Sequence, residues 1–183
     1  KILILGASYG SLLGAKLALA GHAVKLVCLP EEIALINSEG ARVRLPARGV
    51  EGLVELNSRD MQGDLSAAGP AEVNPRDYDL IGLAMQEPQY GVPEVSDLLN
   101  RVATSGVPCM SIMNMPPLAF LRRIQSIDAD GIRDSYTDPG VWDNFDPALI
   151  TLCSPDPQAF RPPEENINVL QVGLPTNFKA ARF

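Results

Sequence analysis

The chain has 183 residues, 46% of them hydrophobic, and carries a formal net charge of -7 with a pI near 4.7. That is enough apolar material for a real core, and by size it makes one domain, or one domain with an appendage, and not a disordered chain. The acidic balance argues against a nucleic-acid surface, which needs clustered Lys and Arg; only Arg122 and Arg123 are adjacent, and they read as a solvated helix face.

Lys1–Leu5 is a short apolar run closed by Gly6, the pattern of a buried parallel strand. From Gly10 to Ala20, leucines mix with Gly14, Ala15 and Ala18, giving a helix with one face small enough to lie close on a sheet; Gly21 stops it. Ala23–Leu29 is the next strand, so the opening residues form a βαβ unit. Pro30–Gly40 reads as a helix, with Pro in the first turn and Glu31 and Glu32 where the macrodipole favours acids. Ala41–Pro46 and Val50–Asn57 are two strands joined by a turn, whereas Arg59–Arg76 is polar, punctuated by Gly and Pro, and takes no assignment. Asp79–Met85 is a second buried strand, Val92–Ser105 a helix, Pro108–Asn114 a third apolar strand and Pro116–Ile124 a helix opened by prolines. The acidic stretch after it is loop-like; Ala148–Cys153 and Asn168–Val172 are late strands flanking a Pro-rich surface loop.

Apolar strands alternating with helices imply an α/β fold with a doubly wound, mostly parallel sheet and helices on both faces. Ligands of such sheets bind beyond the carboxyl ends of the strands, which points to the loops after Leu5, Val27, Met85 and Met113. The three cysteines, Cys28, Cys109 and Cys153, have neither C-x-x-C spacing nor a metal-ligand partner nearby, and are expected as buried free thiols in a reducing compartment. No apolar run reaches the roughly 18 residues of a spanning helix, and no charged segment precedes an apolar one at the start. A cytoplasmic location is therefore expected.

Gly6-Ala7-Ser8-Tyr9-Gly10 reads two ways. As G-x-S-x-G it is a hydrolase's nucleophile elbow; as an altered G-x-G-x-x-G it is a floor for nucleotide phosphates. The chain has one His. His22 lies past the far end of a helix about 17 Å long, out of reach of Ser8 as its base, and an elbow belongs in mid-sheet, not on the first strand. The phosphate floor needs a small residue for the turn, close backbone approach and a helix N-terminus aimed at the pyrophosphate. Gly6, Ala7, Ser8, Tyr9, Gly10 and Ser11 supply these, with Ser8 at the middle glycine position.

The segments "ILGASYGSLLGAKLALAGHAVKLV", "PEEIALINSEGARVRL", "YDLIGLAMQ" and "SIMNMPP" resemble the N-terminal domain of the ketopantoate reductase (2-dehydropantoate 2-reductase) family, in the 6-phosphogluconate-dehydrogenase-like superfamily. The resemblance covers about residues 1–124. It implies a Rossmann NAD(P)-binding domain over residues 1–175, with 176–183 beginning a truncated helical substrate domain. A nicotinamide cofactor, NADP or NAD, and a small 2-keto acid would share the cleft between the two. It places Gly6 to Ser11 at the pyrophosphate and Leu29 where the family has an Arg for the 2′-phosphate. Met85 and Gln86 fall at a segment that commonly carries a Lys. Asn114 falls at a contact to nicotinamide ribose or substrate, and Lys179 at the catalytic Lys.

The expected partners are a small-molecule substrate of the 2-keto acid class and a second copy of the chain as a homodimer, with no nucleic acid and no membrane. Two functions stay open: a reductase of this type, with an imine-reducing opine-type dehydrogenase as a close variant, and a non-catalytic nucleotide-binding or interaction module. The substitutions at Ser8, Leu29, Gln86 and Met115 favour the second. Trp142 and Tyr136 read as packing anchors, Tyr90 either as a cofactor contact or as a surface helix cap. Asp128, Asp130, Asp134 and Asp138 read as a solvated face, because the closing Glu of a calcium loop is missing.

Overall fold

The computed structural model describes residues 1–153 and 159–172. Six parallel strands form the main sheet: β1 (Ile2–Leu5), β2 (Ala23–Val27), β5 (Asp64–Ala68), β6 (Leu80–Leu83), β7 (Cys109–Ser111) and β8 (Ile150–Leu152). Their order is β5-β2-β1-β6-β7-β8. β2 and β6 flank β1 on opposite sides and both run parallel to it, so the strand order grows outward from β1 in both directions; this is the doubly wound Rossmann arrangement, with its switch point between β1 and β6. The predicted mostly parallel α/β sheet is present.

Alternation along each strand sends side chains to two cores. Ile2 and Ile4, with Val24 and Leu26, meet helix α1 (Ser8–Leu19) and helix α2 (Pro30–Glu39). Leu3 and Leu5, with Ile81 and Leu83, meet Leu98, Leu99 and Val102 of helix α3 (Pro93–Ala103) and Leu118 of the one-turn α4 (Leu118–Leu121). Each such buried aliphatic chain contributes roughly 1.5–3 kcal/mol.

A second sheet, β4-β3-β10-β9, lies over α1. It joins the antiparallel pair β3 (Arg42–Pro46) and β4 (Leu53–Asn57) to β9 (Ala159–Phe160) and β10 (Val169–Val172). Leu12 and Ala15 of α1 pack on Val43, Leu170 and Val172. α1 is therefore clamped between two sheets, which explains apolar residues all around it and not on one stripe only.

Several expectations change. The unassigned stretch 59–76 holds β5, whose "DLSAA" lacks β-branched residues and is fixed by pairing, Ala23 to Asp64 through Val27 to Ala68. The last strand, β10, joins the second sheet. The helix predicted over Pro116–Ile124 is a single turn, and of the two arginines read as a solvated face Arg123 is exposed while Arg122 is half-buried, both being tied back to main-chain carbonyls. Arg122 donates to the Trp142 carbonyl and, at 2.7 Å, to Asp143, while Arg123 donates to the Ile150 carbonyl at 2.6 Å.

The acidic loop is likewise built and not merely solvated. Asp128 accepts from the Gly131 amide at 3.0 Å and Asp138 from that of Gly140 at 3.1 Å, while Asp143 lies between Arg133 and Arg122. Those guanidinium groups hold its carboxyl far below the usual carboxylate range, Arg133 contributing most. Trp142 is fully buried, edge-on to Tyr90 at 5.2 Å between ring centroids, with Phe145 at 5.6 Å. Trp142 and Tyr136 are the anchors expected of them. Cys28 and Cys109 are buried free thiols, each pushed up to about 12 chiefly by desolvation, and Cys153 is a half-buried free thiol. No helix among the described residues is long and apolar enough to cross a membrane.

Candidate nucleotide site at the sheet switch point

The registers align Leu5 with Val27 and Leu83, and Leu83 with Ser111. The loops that begin with Gly6, Cys28, Ala84 and Ile112 consequently leave the same end of the sheet, as the sequence predicted. At the switch point the first and third of these touch. Gly6 has φ +105, and a Cβ built on it would stand 2.9 Å from both the Ala84 carbonyl oxygen and Met85 Cγ. Only a glycine allows the chain to turn there with the β6 loop so close.

Helix α1 starts at Ser8, two residues earlier than predicted. Ala7 is its cap residue and its side chain offers no hydrogen bond; the first turn carries no acid. The first main-chain bond runs from the Ser11 amide to the Ala7 carbonyl at 3.1 Å, so the amides of Ser8, Tyr9 and Gly10 have no acceptor among the described residues. Gly10 lets the helix approach β1: a Cβ on it would lie 2.9 Å from Ile4 Cγ2. That is the third-glycine function of a dinucleotide fingerprint, reached in a shorter loop. Ser8 is exposed at the rim, Tyr9 is half-buried and Ala7 buried. Ser11 is a correction. The early helix start puts it in the first closed turn, where its amide and its hydroxyl both bond the Ala7 carbonyl, so neither donor faces a ligand.

The other predicted positions sit at the same end. Leu29 is 57% exposed beyond β2. Asn114 is exposed beyond β7, and Gln86 is exposed beyond β6. The Met85 amide donates to the Tyr90 hydroxyl at 3.2 Å, and the Gln86 amide to Gln89 Oε1 at 2.8 Å. Tyr90 is neither a cofactor contact nor a surface cap: it is fully buried, and burial raises its phenol above the ordinary tyrosine range. Lys179 and the proposed boundary at 175–176 fall outside the described residues.

The acidic loop braces this floor from behind, which the sequence did not disclose. Glu87 is buried and accepts from the Thr137 amide at 2.9 Å and hydroxyl at 2.8 Å. The Tyr136 hydroxyl donates to the Pro116 carbonyl at 2.6 Å. A second missed pair lies at the tip of β2, where buried Glu32 accepts from the Leu29 amide at 2.9 Å and from Arg161.

The elbow reading fails on geometry, though not on every argument raised against it. β1 is in mid-sheet, so the position of the motif does not exclude an elbow. His22 does: it is exposed past the opposite end of α1, and among the described residues no base lies hydrogen-bonded to Ser8. Three unpaired amides, a helix N-terminus and a glycine seam at the switch point define a site suited to an anionic phosphate group.

The fold is shared with solved reductases and dehydrogenases. A protein assigned as a ketopantoate reductase from Ralstonia solanacearum MolK2 is 18% identical with a TM-score of 0.61, over 95% of this chain and 49% of that one. A 2-dehydropantoate 2-reductase assignment from Enterococcus faecalis is 18% identical with a TM-score of 0.57, over 94% and 45%. D-mandelate dehydrogenase, solved with NADH and anilino(oxo)acetate, is 16% identical with a TM-score of 0.55, over 94% and 46%. The chain thus spans about half the length of these structures. No family model and no curated protein matches its sequence.

Proposed function

We propose that the chain is the nucleotide-binding part of an NAD(P)-dependent oxidoreductase of ketopantoate reductase type, acting on a small 2-keto acid or a related carbonyl compound. The observation that carries this reading is the pairing of unpaired Ser8, Tyr9 and Gly10 amides with the Gly6–Ala84 seam at the β1–β6 switch point. These residues fit a dinucleotide: the amides receive the pyrophosphate, and the Ala84–Gln86 loop lies beside the path toward the nicotinamide. The cofactor, when bound, supplies the hydride.

The chain's own part is to bind and orient. Gly6 and Gly10 keep side chains out of the phosphate seat, and Tyr90 and Glu87 fix the β6 loop from below. Asn114 is proposed to donate to the substrate oxygen or the ribose, and Lys179 to stabilise the developing alkoxide. Similarity of fold to proteins assigned as ketopantoate reductases, and to a dehydrogenase solved with NADH, supports this reading.

A binding module without chemistry is the second reading. It is favoured by the loops at Ala84–Gln86 and Ile112–Met115, which carry no cation at all. Calorimetric titration with NADPH and NADH, followed by nicotinamide absorbance with a panel of 2-keto acids, separates the two. Micromolar binding is the expected result for this part of the molecule, with turnover in the full-length protein that contains it. Binding without turnover on any keto acid supports the module, and failure of both dinucleotides to bind overturns both readings.

A further inference from the structure

At the tip of β2 the structure assembles a charged pair from residues 129 apart in sequence. Glu32 sits in the first turn of α2 with only 6% of its side chain exposed, and both its oxygens are used, one by the Leu29 amide and one by Arg161 Nη2. Arg161 follows β9, which lies against α1, and it reaches across to β2 with 28% of its side chain exposed. A carboxylate so enclosed is stable only when paired, so Glu32 anchors the guanidinium at this place. Arginine has five donors in a planar fork, and Glu32 takes one of them, at Nη2.

The place is chemically informative. Dinucleotide-binding sheets recognise the adenosine ribose at the end of the second strand: a carboxylate accepts from a free ribose diol, and a cation takes a 2′-phosphate. Here Cys28 follows the strand as a neutral buried thiol, Leu29 offers an exposed apolar side chain, and Glu32 is buried with both oxygens already accepting hydrogen bonds. The ion pair also cancels the charge by which Glu32 would repel a phosphate. We propose that Arg161, held by buried Glu32, reads the 2′-phosphate of NADP(H) from the second sheet, taking the part that a cation at position 29 would otherwise play.

The assignment rests on the dinucleotide site described above, and its test keeps the two apart. The probes are NADPH, NADH, adenosine 2′,5′-bisphosphate and AMP, titrated calorimetrically into the wild-type chain, Arg161→Leu and Arg161→Lys, with folding checked by circular dichroism. A charge-assisted contact to phosphate predicts at least about a tenfold preference for NADPH and for the bisphosphate. Arg161→Leu should abolish that preference by weakening the phosphorylated ligands alone, and Arg161→Lys should keep part of it. If Leu at 161 prevents folding, a Lys variant that retains the full preference overturns the fork contact, and a severalfold loss for NADPH alone supports it. Equal affinities for NADPH and NADH in the wild type, or a preference untouched by Arg161→Leu, overturn the assignment while leaving the dinucleotide site standing. Failure of all four ligands to bind overturns the site itself, and this assignment with it.

Discussion

Gly6→Val is expected to abolish dinucleotide binding and to cost roughly 2–4 kcal/mol of stability, the sum of left-handed backbone strain and a steric clash. The strain follows from φ +105, and the clash from the 2.9 Å separation between an added Cβ and both the Ala84 carbonyl oxygen and Met85 Cγ. Main-chain atoms cannot step aside as a flexible side chain can, so relief must come from parting the β1 and β6 loops. That parting widens the phosphate seat. Gly49→Ala is the matched control: Gly49 has φ +81 but nothing within 4 Å of an added Cβ. It should lose about 1 kcal/mol to strain and bind dinucleotide as before. Urea denaturation with calorimetric titration of both variants checks the pair.

Trp142→Ala is expected to remove about 3–5 kcal/mol of stability, and Trp142→Phe about 1–2 kcal/mol. The indole is fully buried between Tyr90 and Phe145, and its Nε1 has no hydrogen-bond partner among the described residues. Phenylalanine gives up area but also removes an unsatisfied donor, so its cost is partly offset. The effect should reach the site. Tyr90 carries the Met85 amide on its hydroxyl, and loss of its aromatic neighbour loosens the β6 loop that borders Gly6. Urea midpoints measure the stability change. A rise in the dissociation constant for NADPH under native conditions, larger for Ala than for Phe, measures the transmission.

The alternation of apolar runs with helices made the main sheet legible, because buried parallel strands leave continuous hydrophobic stretches such as "ILIL" and "LIGL". The turn between β1 and α1 was legible too, since glycines are required there by sterics. Less visible was whatever depends on pairing across the chain. β5 has almost no intrinsic strand character and exists because β2 offers it an edge. The helix start at Ser8 in place of Gly10 reflects packing against Ile4, and it removed Ser11 from the predicted phosphate contacts. Tyr90, read either as a cofactor contact or as a surface helix cap, is buried because the acidic loop folds back over it through Trp142 and the Glu87–Thr137 bonds, 50 residues apart. Arg161 had no local signal, as its meaning comes entirely from Glu32 at the other end of the chain.

The proposal stands or falls with the first turn of α1 as an anion seat. A 1H–15N correlation spectrum of the labelled chain, recorded while NADPH is added, observes those amides one by one. Saturable shifts concentrated at Ser8, Tyr9 and Gly10, with Gly49 and Gly106 unmoved, are the predicted result. Saturable NADPH binding that leaves the three amides where they were would place the nucleotide elsewhere and contradict the account.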